Sequence, residues 1–237
     1  MNEFVTVKTI DEMGRVAAAI FEAEIRKKPD IVLGLATGST PISLYKELAR
    51  MNKEEGLDFS RVRTVNLDEY VGLPGDHEQS YRRFMNENLF DHINIDKNNT
   101  HVPNGIADDL TKECQRYDDL IEEYGGIDIQ LLGIGPNGHV GFNEPSDKFS
   151  SKTQVVPLTK ATIDANARFF DNESDVPREA ITLDVKHIMQ ARKIVMVATA
   201  NKEEILKKAL FGDITAQVPA SALQLHREAT VIFSEVE

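Results

Sequence analysis

The chain predicts an α/β fold in which a mainly parallel sheet is the middle layer of a three-layer sandwich, and three observations carry that prediction. Short apolar runs of strand length alternate with amphipathic stretches of helix length from end to end. The apolar runs lack the polar alternation of a half-exposed strand, so helices cover both faces of their sheet. One run leads straight into a glycine-rich turn, Leu132-Gly-Ile-Gly-Pro-Asn-Gly-His-Val-Gly-Phe-Asn-Glu144, which presents His139 with Glu144 close behind. In open parallel sheets, ligands sit beyond the carboxyl ends of the strands, where such turns lie.

Taken in order, Ile10 to Lys28 carries Ile10, Met13, Val16, Ala17, Ile20 and Ile25 at roughly helical spacing, with Asp11 near its start, and reads as an amphipathic helix. Ile31 to Ala36 reads as a buried strand, Ile42 to Glu55 as a helix and Val62 to Leu67 as a strand. Helices follow near Tyr81 to Phe90 and Leu110 to Tyr124, then a strand at Ile127 to Ile134. A helix near Thr159 to Arg168, a strand at Lys193 to Thr199, a helix at Lys202 to Phe211 and a strand at Ala229 to Phe233 complete the alternation. Right-handed crossovers gather the loops after Ala36, Leu67, Ile134 and Thr199 along one edge.

With 237 residues, 41% of them hydrophobic, the chain can bury one large core. No linker, low-complexity tract or solenoid repeat divides it, so a single domain over 1–237 is expected. The net charge of -12, with both signs mixed along the chain, argues against nucleic acid or a membrane surface as general partner. An anionic substrate then needs a local basic pocket. A single cysteine, Cys114, rules out an intrachain disulfide. The start, Met1-Asn2-Glu3, has no basic segment followed by an apolar core, and no run reaches membrane-spanning length, so a cytoplasmic location is expected.

Four loops can share one site. In Leu35-Ala-Thr-Gly-Ser-Thr-Pro41, Gly38 permits close backbone approach, Ser39 and Thr40 offer hydroxyls, and Thr40 can cap a helix that has Pro41 in its first turn. Free N–H groups at that helix start suit a phosphate, though an ordinary capped turn reads equally well from this loop alone. The Gly-Lys-Ser/Thr ending of a nucleotide-binding P-loop is absent. In Asn66-Leu-Asp-Glu-Tyr70, Asp68 is the first charged residue after an apolar strand, placed as a base in the crevice or as a turn aspartate.

In the third loop, His139, preceded by Asn137 and followed by Glu144, reads as a proton relay or as a structural histidine. The same segment matches Gly-x-Gly-x-x-Gly at Gly133, Gly135 and Gly138, but Pro136, Gly141 and Pro145 deny it the helix a dinucleotide site needs. None of the six histidines forms a His-x-x-x-His pair or joins a cysteine, so no metal is expected. The fourth group is cationic, Arg168 and Lys202. Lys202 at a helix start opposes the macrodipole unless an anion sits between them.

Leu35-Ala-Thr-Gly-Ser-Thr-Pro41, Leu67-Asp-Glu-Tyr-Val-Gly72, Gly135-Pro-Asn-Gly-His-Val-Gly-Phe-Asn-Glu-Pro145 and Ser221-Ala-Leu-Gln-Leu-His226, in this order and spacing, resemble the glucosamine-6-phosphate deaminase (isomerase) family over nearly the whole chain. The resemblance implies a Rossmann-like fold and conversion of glucosamine 6-phosphate to fructose 6-phosphate and ammonia, with no redox cofactor or catalytic metal. It makes Asp68 the base for enolisation and His139, with Asn137 and Glu144, the ring-opening group. Thr37, Gly38, Ser39, Thr40, Arg168 and Lys202 would hold the phosphate. Asn137 stands where many members carry aspartate, so His139 leans more on Glu144. Members activated by N-acetylglucosamine 6-phosphate are hexamers with basic residues after the Asn-Glu-Pro motif and a longer tail, whereas Gln154 and Val156 stand here and the chain stops at Glu237. The resemblance therefore implies an unregulated member, a monomer or small homo-oligomer rather than a hexamer. Two competing readings are a 6-phosphogluconolactonase-like hydrolase, which shares a Gly-His turn, and a non-catalytic sugar-phosphate-sensing domain. The first lacks the Asp-Glu-Tyr-Val-Gly and Phe-Asn-Glu-Pro strings, and the second needs a DNA-binding module that the sequence does not show.

Overall fold

In chain order the first elements are β1 (Glu3–Val7), α1 (Ile10–Lys27), β2 (Val32–Leu35), α2 (Ile42–Glu55), β3 (Arg63–Asn66), β4 (Asp68–Tyr70), α3 (Tyr81–Asn88) and β5 (Thr100–His101). They are followed by α4 (Leu110–Glu123), β6 (Ile129–Leu132), β7 (Gln154–Pro157), α5 (Lys160–Ala167) and β8 (Glu179–Thr182). The last are α6 (Val185–Gln190), β9 (Lys193–Thr199), α7 (Glu203–Phe211) and β10 (Ala229–Ser234). This is a computed structural model, and it describes residues 3–167 and 170–236.

Every residue of β2, β6 and β10 is buried, as is all of β9 except Lys193. Side chains alternate between the two faces of a strand, so burial at every position requires cover on both. The sheet has seven strands in the order β1-β10-β9-β6-β2-β3-β5, and each adjacent pair is parallel. From β2 the chain moves outward through β3 to β5, then returns to lay β6 on the other side of β2. The order therefore reverses at β2, and a crevice opens between the loops that follow β2 and β6. The expected α/β sandwich with a mainly parallel sheet is the fold observed.

A second sheet, β4-β8-β7, is antiparallel and lies outside the sequence expectations. So do the edge strands β1 and β5 and the six-residue α6. β7 is exposed or half-buried throughout, and β4 is only three residues long, too short for a periodic signal.

Side-chain caps open most of the helices: Thr9 accepts from Glu12 N, Ser80 from Arg83 N, Asp109 from Lys112 N and Asp184 from His187 N. The expectation for α2 is corrected. Thr40 does not cap it; Pro41 occupies the cap position with helical dihedrals and no side-chain cap bond, after a turn in which Ile42 N donates to Ser39 O. Proline's fixed φ already suits the helix, so the chain enters α2 without using a hydroxyl.

Polar ties fix the opposite, N-terminal ends of the same strands. Buried Asp128, just before β6, accepts from Val32 N at 2.8 Å, from Arg192 Nη1 at 2.7 Å and from Lys28 Nζ at 2.8 Å. At the other end, α1 meets the start of α2 through bare backbone: a Cβ on Gly14 would lie 2.6 Å from the carbonyl carbon of Ser43 and 2.7 Å from its Cβ. Gly14→Ala gains about 1 kcal/mol of helix propensity. Overpacking against backbone costs about 1–3 kcal/mol, so the clash outweighs the gain. Urea denaturation should show a net loss of up to about 2 kcal/mol, and a net gain would mean that α1 and α2 separate freely.

Candidate active site

The loop after β2 lines one wall of a cavity of about 290 Å³ at the carboxyl edge of the sheet. Thr37, Gly38, Ser39, Thr40 and Pro41 all border it, with Gly38 and Ser39 exposed. Among the described residues, the amides of Gly38, Ser39 and Thr40 meet no acceptor. With α2 uncapped beside them, these amides give the wall a concentration of free N–H dipoles, the arrangement that receives an anion. Tyr45, one turn into α2 and fully buried, holds the loop's base: its hydroxyl donates to Ala36 O and accepts from Ala36 N.

Two neighbouring carboxylates in β4 have opposite fates. Glu69, 2% exposed, accepts from Tyr70 N at 2.8 Å, Tyr81 N at 2.9 Å, Arg82 N at 3.0 Å and Ser80 Oγ at 2.8 Å. It is the anchor for the start of α3. Asp68 is 6% exposed, borders the cavity and, among the described residues, accepts no hydrogen bond and forms no ion pair. Burial, helped by the neighbouring Glu69 charge, pushes its carboxyl up to about 8. A carboxyl group poised near neutrality in a cleft has the properties of a general base.

On the facing loop, His139 Nδ1 lies 2.8 Å from Asn137 Oδ1 and 3.2 Å from Glu144 Oε1, while Asn137 Nδ2 donates to Glu144 Oε2 at 2.6 Å. An amide oxygen only accepts, so the Nδ1 position carries the proton and Nε2 is the nitrogen that exchanges one. His139 itself borders the cavity, and Asn137 and Glu144 join the site through it. The His139 hydrogen bond, with that of Asn137, holds the Glu144 carboxyl below the ordinary range against the effect of burial. The turn requires glycine at 135: a Cβ there would lie 2.2 Å from His139 Nε2 and Cε1. No helix opens at Gly138, in keeping with the rejection of a dinucleotide site.

The structure thus brings together Thr37, Gly38, Ser39, Thr40, Asp68 and His139 around one cavity, with Asn137 and Glu144 behind the histidine. Lys202 is not among the lining residues. It is half-buried at the end of the 3₁₀ turn Ala200–Lys202, opposite the acidic pair Glu203 and Glu204 in the first turn of α7, and forms no ion pair among the described residues. Arg168 lies outside the described residues. Sequence reasoning missed Tyr81 and Phe142, whose rings stack at 6.2 Å and 5° and border the cavity. Tyr81 also donates to the Tyr70 hydroxyl at 3.1 Å. The signal for Tyr81 was its position at a capped helix start just beyond the Asp68 strand.

Among the described residues, one cluster has metal-ligand composition: buried Asp118, Asp184 and His187. It lies outside this cavity, and His187 Nδ1 already bonds Asp184 Oδ2 at 2.5 Å, with Asp118 Oδ1 at 3.7 Å. The Asp184 bond raises the His187 imidazole above its ordinary value against burial. An imidazole bonded to one carboxylate and close to the other fills the position a cation would take.

A family profile described as glucosamine-6-phosphate isomerases/6-phosphogluconolactonase matches residues 6–232. The chain is 55% identical over 232 residues to a protein named glucosamine-6-phosphate deaminase from Clostridium perfringens (strain SM101 / Type A), covering 98% of this chain and 96% of that one. It is 52% identical over 236 residues to another of that name from Thermoanaerobacter sp. (strain X514), covering 99% and 93%. Among solved structures it is similar to a monomeric glucosamine-6-phosphate deaminase, with 44% identity, a TM-score of 0.94 and coverage of 98% and 97%. A 6-phosphogluconolactonase from Thermotoga maritima shares the fold at a TM-score of 0.78, with 21% identity. The matched profile spans the strands, the cavity loops and the relay alike, and the chain belongs to the glucosamine-6-phosphate isomerase/6-phosphogluconolactonase family.

Proposed function

We propose that this chain, as one domain over 1–237, converts glucosamine 6-phosphate and water into fructose 6-phosphate and ammonia. The observation that carries the reading is the placing of an unpaired carboxylate, Asp68, and a tethered imidazole, His139, on one cavity whose third wall is the amide-lined loop at Thr37 to Thr40. The names of the full-length relatives support it. We also read the chain as a monomer or small homo-oligomer acting without a cofactor in the cytoplasm. That agrees with a monomeric relative and with described helices none of which is long and apolar enough to cross a membrane.

The phosphate sits against the loop amides, with Arg168 and Lys202 as further cations, and supplies binding energy that fixes the sugar. His139 moves a proton from the C1 hydroxyl to the ring oxygen, while Glu144 and Asn137 stabilise its imidazolium. In the open chain, Asp68 takes the C2 proton, the electron pair forms the C1–C2 double bond, and the C2 ammonium gives a proton to the aldehyde oxygen, which leaves a neutral enolamine. Asp68 returns its proton to C1 of this cis-enolamine. Water adds to the resulting iminium carbon and ammonia leaves.

Asp68→Asn should fold and yet lose exchange of the substrate C2 proton with solvent deuterium, by about 10²-fold or more; exchange at the wild-type rate would place the base elsewhere. The same variant should gain stability with rising pH. The folded carboxyl ionises near 8, whereas an unfolded one ionises near about 4. Between those values the wild type keeps a proton only when folded and loses stability as pH rises, a loss the amide escapes. The gain should exceed about 1 kcal/mol by pH 7 and vanish near the lower limit. A gain independent of pH would show that Asp68 ionises normally in the fold.

His139→Gln should slow turnover of the closed sugar by about 10²-fold or more while sparing exchange that starts from open-chain fructose 6-phosphate and ammonia. Glu144→Gln should act likewise but less severely. Equal losses in both assays would move His139 into enolisation.

Phosphate is the main handle in this reading. Unphosphorylated glucosamine should be a very poor substrate, and Lys202→Ala should raise KM with little change in thermal stability. Comparable turnover of glucosamine and its 6-phosphate would remove the anion wall from the mechanism.

A further inference from the structure

Among the carboxylates around the cavity, Asp68 alone has an unmet demand. Glu69 accepts four hydrogen bonds, and Glu144 is held by His139 and Asn137. The buried hydroxyls within electrostatic reach of Asp68 are spoken for: Tyr45 donates to Ala36 O, Tyr117 to Asn66 O at 2.8 Å, and Tyr81 to the Tyr70 hydroxyl. Glu69 beside it is a second carboxyl, and among the described residues no lysine or arginine borders the cavity; the other titratable groups lining it are His139 and Tyr81. A carboxylate removed from water without a donor or counter-charge is unfavourable, and the deficit is met by whatever fills the cavity.

Resting on the deaminase reading above, we propose that Asp68 also recognises the substrate's amino group: the C2 ammonium pairs with its carboxylate, and that pairing discriminates amino sugars from hydroxy sugars. The geometry supports both duties. C2 carries the amino group and the proton to be removed, so a carboxylate with one oxygen on the ammonium has its other oxygen beside the C2–H. The pairing also prepares the base. In the empty site burial and Glu69 favour the neutral acid, whereas an ammonium at contact distance favours the anion. A substrate with hydroxyl at C2 offers no such charge, leaves the base protonated and is not enolised. The ion pair therefore selects the substrate and activates the group that attacks it.

The test uses two reduced, open-chain sugars that cannot react because they lack the aldehyde, 2-amino-2-deoxyglucitol 6-phosphate and glucitol 6-phosphate. Their binding to wild type and Asp68→Asn is measured by calorimetry at about pH 6.5, in two buffers that differ in ionisation heat. Wild type should prefer the amino compound at least about tenfold and release close to one proton on binding it. Asp68→Asn should bind glucitol 6-phosphate as wild type does, which reports an intact phosphate wall, and its preference should fall below about threefold with no proton released. Equal affinity of wild type for the two compounds, the same preference in the variant, or no proton release would overturn the assignment. Those results leave glucosamine 6-phosphate turnover intact. If wild type binds neither compound and frees no ammonia from glucosamine 6-phosphate, the deaminase reading itself fails.

Discussion

The parallel pairing of β2 with β3 on one side and β6 on the other is the constraint from which the site follows. Parallel strands place their carboxyl ends together, and the reversal of strand order at β2 keeps the loops after β2 and β6 from being bridged by a crossover. The anion wall and the imidazole thus face each other across an open crevice, and Asp68, two residues beyond β3, closes its floor. Gln130 on β6 shows how tightly these strands meet. A Cβ on Gly34 would lie 2.0 Å from its Oε1, so a larger residue in the centre of β2 would displace that buried amide.

Chemistry at this edge depends on giving two adjacent carboxylates different surroundings. Glu69 lies at the start of α3, where the helix dipole and three backbone amides favour an anion. Asp68 points the other way, as successive residues of a strand do, into space bounded by aromatic rings and the glycine turn. Like charges close together cannot both ionise cheaply; burial raises both carboxyls, and the four hydrogen bonds to Glu69 offset part of that rise whereas Asp68 has none. Secondary structure alone, through the alternation of a three-residue strand, assigns one carboxylate to architecture and its neighbour to reaction.

Much of the central sheet was legible because its signals are local. The strands at Val32–Leu35 and Lys193–Thr199 are largely apolar runs, and the helix Ile42–Glu55 has the bounds its periodicity gives. The glycine turn around His139 was legible because glycine, proline and histidine together have few structural uses. What stayed hidden depends on pairing between distant segments. β4 and β8 are stabilised by each other, with Asp68 opposite Thr182, and neither carries periodicity of its own. The roles of Asp68 and Glu69 could not be separated in sequence, because they turn on which face of β4 meets α3. Thr40 misled for a related reason: a hydroxyl before proline predicts a cap only if the chain enters the helix extended, and here the turn at Ser39 enters it already coiled.

Positioning and stability reside in different parts of the molecule. The large apolar cluster fills the space between the seven-stranded sheet and its helices, and it tolerates small adjustments because dispersion contacts are many and individually weak. The relay hangs instead on polar bonds with definite directions. Buried Asn143 donates to Val140 O at 3.0 Å and Leu183 O at 2.8 Å and accepts from Ser150 Oγ at 2.6 Å, and Ser150 Oγ in turn accepts from Val185 N at 2.9 Å. These bonds fix the bend between His139 and Glu144 to the start of α6. There Asp184 caps the helix and, through His187, leans on Asp118 of α4, whose carboxylate also receives Thr153 N. Each buried donor in this chain needs its partner at one distance and angle, because a lost bond in low dielectric is costly. Directional bonds of this kind hold the imidazole and carboxylate at the few tenths of an ångström that proton transfer demands, which packing alone does not specify.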